Sequence, residues 1–206
     1  MIDFVPGYDE ATQANLRVAA AFLPGGALTE HAAARERLLA RLRDSDDPVF
    51  SMAHGERDAL LGQSGERALV AEDFASYAPR IVYAYACHTA TSLGARAAAD
   101  GWAWAGYTGP VAAPGKADAE HAALAGVFRV VREGLGNIAT GHGTGAWLAA
   151  VRDGADAAAE ALDALEGASL LAYVCANNLW TRLRVWRPGD AAPRRHPLAG
   201  EPMLVP

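Results

Sequence analysis

The sequence predicts an α/β fold built on a mostly parallel sheet with helices on both faces. Short apolar runs alternate with longer amphipathic segments along the chain, and several apolar runs stop at turn residues such as Pro6-Gly7. This alternation is typical of parallel strands joined by crossover helices. The chain has 206 residues and shows no internal repeat or linker, so we expect one domain over residues 1–206.

Apolar runs and helical periodicity predict the individual elements. The strands are expected at residues 2–5, 49–53, 80–86, 102–107, 169–176 and 181–186, with a small β-hairpin at residues 59–70. The helices are expected at residues 10–23, 29–43, 73–78, 91–99, 117–134 and 146–165. GNIATGHGTG is expected as a flexible linker between the last two helices, and the Pro-rich tail from Pro188 is expected to be irregular.

Composition excludes several functional classes. Hydrophobic residues make up 51% and charged residues 20%, an ordinary globular balance that argues against disorder. The net charge of −6 argues against nucleic-acid and anionic-membrane partners. The N-terminus lacks the basic and apolar regions of a secretory signal, and no apolar run reaches transmembrane length. We therefore expect a cytoplasmic protein whose two cysteines, Cys87 and Cys175, stay reduced.

Reactive residues follow two of the predicted strands. The strand VFSMA runs into His54-Gly55, and the strand RIVYAYA runs into Cys87. Adjacent parallel strands would bring both ends to one edge of the sheet, where ligands gather in α/β folds. A thiol beside an imidazole is an activated nucleophile, and the N–H groups of Gly55 and Cys87 would form an oxyanion hole. This pattern predicts acyl transfer, in particular peptide-bond hydrolysis.

This region of the chain resembles the caspase-like cysteine peptidases of clan CD. The order of a strand ending in His-Gly, a hairpin and a strand ending in Ala-Cys carries the resemblance, and YAYACHTATSLGARAAADGWAWAGYTGPV is similar to the bacterial CHAT-like branch. LRVWRPGD looks like the final strand of that fold. The resemblance implies a three-layer caspase-like fold, with His54 as the catalytic histidine, Cys87 as the nucleophile and Gly55 in the oxyanion hole. It also implies a protease role in bacterial stress or phage defence.

Further residues have weaker roles in this interpretation. Asp9 and Glu10 follow the first strand, where the resemblance implies a substrate pocket, and an acidic residue there would favour Arg or Lys in the substrate. His88 would point away from Cys87 if the strand continued, which favours a substrate-groove position over a role as base. Cys175 is expected as inert core in a strand. Core packing is the simpler interpretation of Trp102 and Trp104, which alternate with alanines.

Alternatives remain open for fold and function. A flavodoxin-like sheet would need a cofactor loop after the first strand, where PGYDEATQ has too little glycine. GHGTG lacks the Gly-Lys-Ser/Thr ending of a phosphate-binding loop, and the histidines lack zinc-ligand spacing. No cofactor or metal is therefore expected. A catalytically inactive binding module and a structural partner subunit compete with the peptidase, whose partners would be a protein or peptide substrate and a separate regulatory protein.

Overall fold

The computed structural model describes residues 1–200 and contains a six-stranded sheet between two layers of helices. The strands are β1 Ile2–Val5, β2 Leu28–Thr29, β3 Val49–Met52, β4 Ala59–Leu61, β5 Arg67–Val70, β6 Ile81–Tyr85, β7 Ala103–Tyr107 and β8 Leu183–Trp186. The helices are α1 Glu10–Ala20, α2 Arg35–Asp44, α3 Leu93–Ala99, α4 Asp118–Glu133, α5 Gly141–Asp163 and α6 Leu170–Thr181.

The main sheet has the strand order β2-β1-β3-β6-β7-β8, and only β8 runs antiparallel to its neighbour. The separate antiparallel pair β4–β5 is the expected hairpin after His54. Because β1, β3, β6 and β7 are parallel, their carboxyl ends meet at one edge of the sheet. The predicted adjacency of the strands before His54 and Cys87 is confirmed, since Met52 of β3 pairs with Tyr85 of β6.

Alternating side chains of the strands build two separate cores. Tyr83 and Tyr85 of β6 face the core shared with α1, α4, α5 and α6. Val82 and Ala84 face the other core, which contains α2, the hairpin and α3. The predicted mostly parallel α/β sheet with helices on both faces is thereby confirmed. Trp102 and Trp104 are fully buried in the second core, as their alternation with alanines predicted.

Two longer segments have a different structure from the one predicted. Residues 169–176, expected as a strand, lie almost entirely in α6, which begins after the N-cap Ser169, whose side chain accepts a hydrogen bond from the Ala172 N–H. A short apolar run fits a buried helix as well as a strand, but Ala172, Cys175, Ala176 and Leu179 have helical spacing and are all buried. Cys175 is therefore buried core, as expected, but in a helix.

The second error concerns GNIATGHGTG. Leu135–Ala139 form a 3₁₀ turn, and GHGTG is the first turn of α5 rather than a flexible loop. Thr140 caps this helix by accepting a hydrogen bond from the Gly143 N–H, which explains why a glycine-rich segment can be helical here. Two further expected helices differ in kind: residues 28–32 form β2 and a 3₁₀ turn before α2 begins at Arg35, and the helix expected at residues 73–78 is a 3₁₀ helix, Ala71–Ser76. The other elements differ from their predicted bounds by a few residues.

The described residues carry neither a membrane span nor a metal-binding cluster. Within residues 1–200, no helix combines the length and apolar character needed to cross a bilayer. Over the same range, no three His, Cys, Asp or Glu side chains are grouped closely enough to hold a metal ion. The end of the Pro-rich tail, residues 201–206, lies outside the described residues.

Candidate functional site

His54 and Cys87 line one small cavity at the carboxyl edge of the sheet. His54 follows β3 by two residues, and Cys87 follows β6 by two residues, so the parallel pairing of these strands brings them together. The cavity, named here the Cys87 cavity, has a volume of about 30 Å³. It is lined by Ala11, Asn15, Ala53, His54, Tyr85, Cys87, Val111, Ala112 and Ala113.

The Cys87 sulfur faces the segment that follows β7. The backbone N–H of Val111 lies 3.3 Å from Sγ and donates to it, and the Val111 carbonyl lies 3.9 Å from the same atom. Tyr85 holds this segment in place, because its hydroxyl donates to the Ala112 carbonyl at 2.7 Å. The sulfur therefore contacts a backbone segment that is hydrogen-bonded to the central strand β6.

Gly55 lies directly against the turn that carries Cys87. A Cβ added at Gly55 would come within 2.6 Å of Thr89 Cγ2, 2.7 Å of the Cys87 carbonyl oxygen and 2.8 Å of Ala86 Cβ. These distances are shorter than any normal carbon contact, so glycine is required for this close approach of two backbones.

The two backbone N–H groups expected in the oxyanion hole are unpaired. Gly55 faces Leu60 in an isolated antiparallel bridge, but the hydrogen bonds of that bridge are made by the flanking N–H groups of Glu56 and Leu61. Within residues 1–200, neither the Gly55 N–H nor the Cys87 N–H donates to a protein group. Both donors are therefore available to an oxygen atom of a bound molecule.

His54 has an acidic partner that the sequence analysis assigned to a different role. Asp9 Oδ2 lies 2.6 Å from His54 Nε2, and the Tyr8 ring packs edge-on to the imidazole at 5.8 Å between centroids. Because a carboxylate only accepts, Nε2 is the protonated ring nitrogen and donates to Asp9, which leaves Nδ1 as the basic nitrogen. Asp9 thus orients the imidazole.

The position of the Asp9 carboxylate follows from its place as the N-cap of α1. Its Oδ1 accepts from the Thr12 N–H at 2.9 Å and from the Thr12 hydroxyl at 2.8 Å, which leaves Oδ2 for His54. Partial burial raises the pKa of Asp9, but the hydrogen bonds from Thr12 and His54 outweigh it and hold the pKa below its usual value. A signal for this role existed in the sequence, since Asp9 follows a strand that ends at the same edge.

The remaining candidate residues lie around this centre. Glu10 forms an exposed ion pair with Lys116 at 2.6 Å, so neither acid after β1 presents an unpaired carboxylate. His88 lies in a turn with φ of 61°, because β6 ends at Tyr85, and it does not line the Cys87 cavity. His88 is therefore not part of an extended strand that would orient its side chain away from Cys87, as the sequence predicted.

The sequence analysis missed Asn15 and Tyr85. Asn15 lies one helical turn after Ala11 in α1 and is only 6% exposed. Tyr85 also contacts the Cys175 sulfur through its hydroxyl, at 3.1 Å. Neither residue belongs to a motif, so only the tertiary structure shows that they line the cavity.

Comparison with known proteins finds no matching family model, no matching curated protein and no matching solved structure.

Proposed function

We propose that the protein is a cysteine endopeptidase with a caspase-like fold, in which Cys87 is the nucleophile and His54 the proton carrier. The observation that carries this proposal is the meeting of His54 and Cys87 at one cavity, with unpaired backbone N–H groups on Cys87 and on Gly55, the residue after His54. A nucleophile, a base with its own orienting acid and a pair of oxyanion donors are the parts that acyl transfer requires.

In the proposed reaction the Cys87 sulfur attacks the scissile carbonyl carbon after His54 Nδ1 takes the thiol proton. The oxyanion of the tetrahedral intermediate lies between the N–H groups of Gly55 and Cys87. When the C–N bond breaks, His54 gives its proton to the departing amine and a thioester remains on Cys87. Water, deprotonated by His54, then hydrolyses the thioester and restores the thiol. Asp9 holds the imidazole and balances its positive charge between these steps.

The fold supports the same proposal. A parallel β3–β6 pair carries His54 and Cys87, and a hairpin follows His54 directly. This arrangement has the order of elements that the resemblance to caspase-like peptidases implies. A role in bacterial stress or phage defence belongs to the proposal through that resemblance alone. A cytoplasmic location and a separate regulatory protein are also part of the proposal.

The test combines thiol labelling with peptide cleavage. Iodoacetamide at neutral pH should label Cys87 of the folded protein and spare Cys175, because full burial raises the pKa of Cys175 to about 12. A mixture of peptides digested with the protein should show new termini by mass spectrometry. Cys87→Ala and His54→Ala should abolish cleavage, whereas Cys175→Ala and His88→Ala should retain most of it.

Two results would contradict the proposal. Cleavage that persists in Cys87→Ala would exclude this nucleophile. An unreactive Cys87 together with no cleavage would favour the competing interpretation, a catalytically inactive binding module with the same fold.

A further inference from the structure

A larger cavity adjoins the Cys87 cavity between α1, the segment after β7 and the start of α6. Its volume is about 370 Å³, against about 30 Å³ for the Cys87 cavity. Ala11 and Ala113 line both cavities, so the two lie side by side. We name it the Leu171 pocket, and its lining includes Ala11, Ala14, Ala113, Leu171, Glu10 and Lys116.

The Cys87 cavity itself has room for the reacting carbonyl group but not for a side chain. A volume of about 30 Å³ accommodates roughly one or two water-sized groups. The carbon and oxygen of the attacked carbonyl fill this space. The side chain of the same substrate residue must therefore lie outside it, and the adjoining Leu171 pocket has the space to receive it.

Exposed apolar side chains cluster at this pocket. Leu170, Leu171 and Val174 of α6 are 78%, 41% and 38% exposed, and they are three of the five large apolar side chains exposed within residues 1–200. Leu171 lines the pocket, and Val174 follows it by about one helical turn on the same face. Apolar side chains that are exposed together, rather than singly, mark a binding surface.

The acidic residues that line the pocket already have partners. Asp9 Oδ2 lies 2.6 Å from His54 Nε2, and Glu10 Oε1 lies 2.6 Å from Lys116 Nζ. An arginine side chain of a substrate would have to displace Lys116 from Glu10. A glutamate side chain would lie beside two carboxylates, which repel it. An apolar side chain meets neither cost.

We infer that the Leu171 pocket binds the side chain of the substrate residue whose carbonyl Cys87 attacks, and that it selects a large apolar side chain such as leucine. This inference rests on the proposed peptidase function and names its substrate class. Because about 370 Å³ is within the size range of whole small-ligand sites, the selection comes from apolar contact rather than from size. It differs from the basic substrate residue that Asp9 and Glu10 predicted from the sequence.

The experiment uses four acetyl-dialanyl-X acyloxymethyl ketones with X as leucine, alanine, arginine or glutamate. The ketone takes the place of the scissile carbonyl, and the Cys87 sulfur displaces the carboxylate leaving group to form a thioether. Intact-protein mass spectrometry measures the rate of this modification.

We expect the leucine probe to react about 10- to 100-fold faster than the alanine probe, because its side chain leaves water on binding. The arginine probe should react about 2- to 5-fold more slowly than the leucine probe, because it must break an exposed ion pair. The glutamate probe should be slower than the leucine probe by more than about 10-fold, because of the repulsion by Asp9 and Glu10.

Variants of the lining residues test whether the side chain lies in this pocket. Leu171→Ser should lower the leucine-to-alanine rate ratio about 3- to 10-fold. The matched control is Leu198→Ser, because Leu198 is also exposed but does not line the pocket. Lys116→Met keeps an apolar side chain but leaves Glu10 without its cation, so it should raise the arginine-to-leucine ratio about 2- to 5-fold. Circular dichroism and urea unfolding check that each variant is folded.

The outcomes distinguish the inference from the proposed function. If no probe modifies Cys87 and no peptide is cleaved, the peptidase is itself refuted, and the inference with it. If the alanine, arginine or glutamate probe reacts fastest, Cys87 is a peptidase nucleophile but the apolar selection is wrong. If Leu171→Ser changes the leucine-to-alanine ratio no more than Leu198→Ser does, the selected side chain does not bind in the Leu171 pocket.

Peptide digestion gives an independent measurement of the same selection. The new C-termini produced from a peptide mixture should end mainly in leucine, methionine or phenylalanine. C-termini that end mainly in basic, acidic or small residues would overturn the inference while leaving the peptidase in place.

Discussion

Replacement of Gly55 by alanine tests whether the segment after β3 is packed against the Cys87 turn. The new methyl would lie 2.6 Å from Thr89 Cγ2 and 2.7 Å from the Cys87 carbonyl oxygen. The second of these atoms belongs to the backbone, so the strand ends must move apart. Overpacking of this kind costs about 1–3 kcal/mol of the free energy of unfolding. We therefore expect Gly55→Ala to fold, with reduced stability and a displaced Cys87.

Urea unfolding followed by tryptophan fluorescence measures the loss of stability, since Trp102 and Trp104 are fully buried. With a slope of about 2 kcal/mol per molar urea, a loss of about 2 kcal/mol lowers the midpoint by about 1 M. The rate of peptide cleavage measures the displacement of Cys87. Displacement of one oxyanion donor should lower the rate by about 10²–10³-fold.

The matched control is Gly126→Ala in α4. A Cβ at Gly126 meets no atom within 4 Å, so the change should stabilise the helix by about 0.5–1 kcal/mol and leave cleavage unchanged. If Gly55→Ala shows the same midpoint and the same cleavage rate as the unsubstituted protein, the segment after β3 does not pack closely against the Cys87 turn.

Three further perturbations test other contacts of the site. Asp9→Asn keeps a good N-cap for α1 but removes the charged partner of His54. Because the pair is partly exposed, we expect the cleavage rate to fall only about 3- to 10-fold. An unchanged rate would refute the positioning role of Asp9. Tyr85→Phe should lower both stability and the cleavage rate, because it removes the hydrogen bond to the Ala112 carbonyl. Tyr83→Phe removes only a hydrogen bond to the Tyr107 hydroxyl and should lower stability alone. Equal cleavage by the two variants would contradict this. Burial raises the pKa of Glu120, but hydrogen bonds from Ser169, Ala117 and Lys116 outweigh burial and lower the pKa to about 2. The ionised Glu120 side chain therefore stabilises the fold above its unfolded pKa, and this contribution is lost as pH falls from about 4.5 to about 2. The stability difference between the unsubstituted protein and Glu120→Gln, on the order of 3 kcal/mol by linkage, should accordingly shrink over that pH range in urea titrations, and a constant difference would count against it.

Local patterns predicted most of the sheet. Seven of the eight strands, all but β2, follow from apolar runs bounded by turn residues, including the two strands of the hairpin after His54. The run SLLAYVCA at residues 169–176 was misassigned because its apolar residues fit a strand period and a helix period equally well. Packing against α5 and the Ser169 N-cap resolves that choice in favour of α6.

The sequence by itself determined that His54-Gly55 and Cys87 end two buried strands of an α/β fold, because strand ends are marked by local chemistry. Only the tertiary structure decided which side chains complete the site. Asp9 lies 45 residues from His54, and Asn15 reaches the cavity from a helix that no motif marks. Such contacts join distant segments through the packing of whole elements. A pattern that spans a few residues carries no information about them.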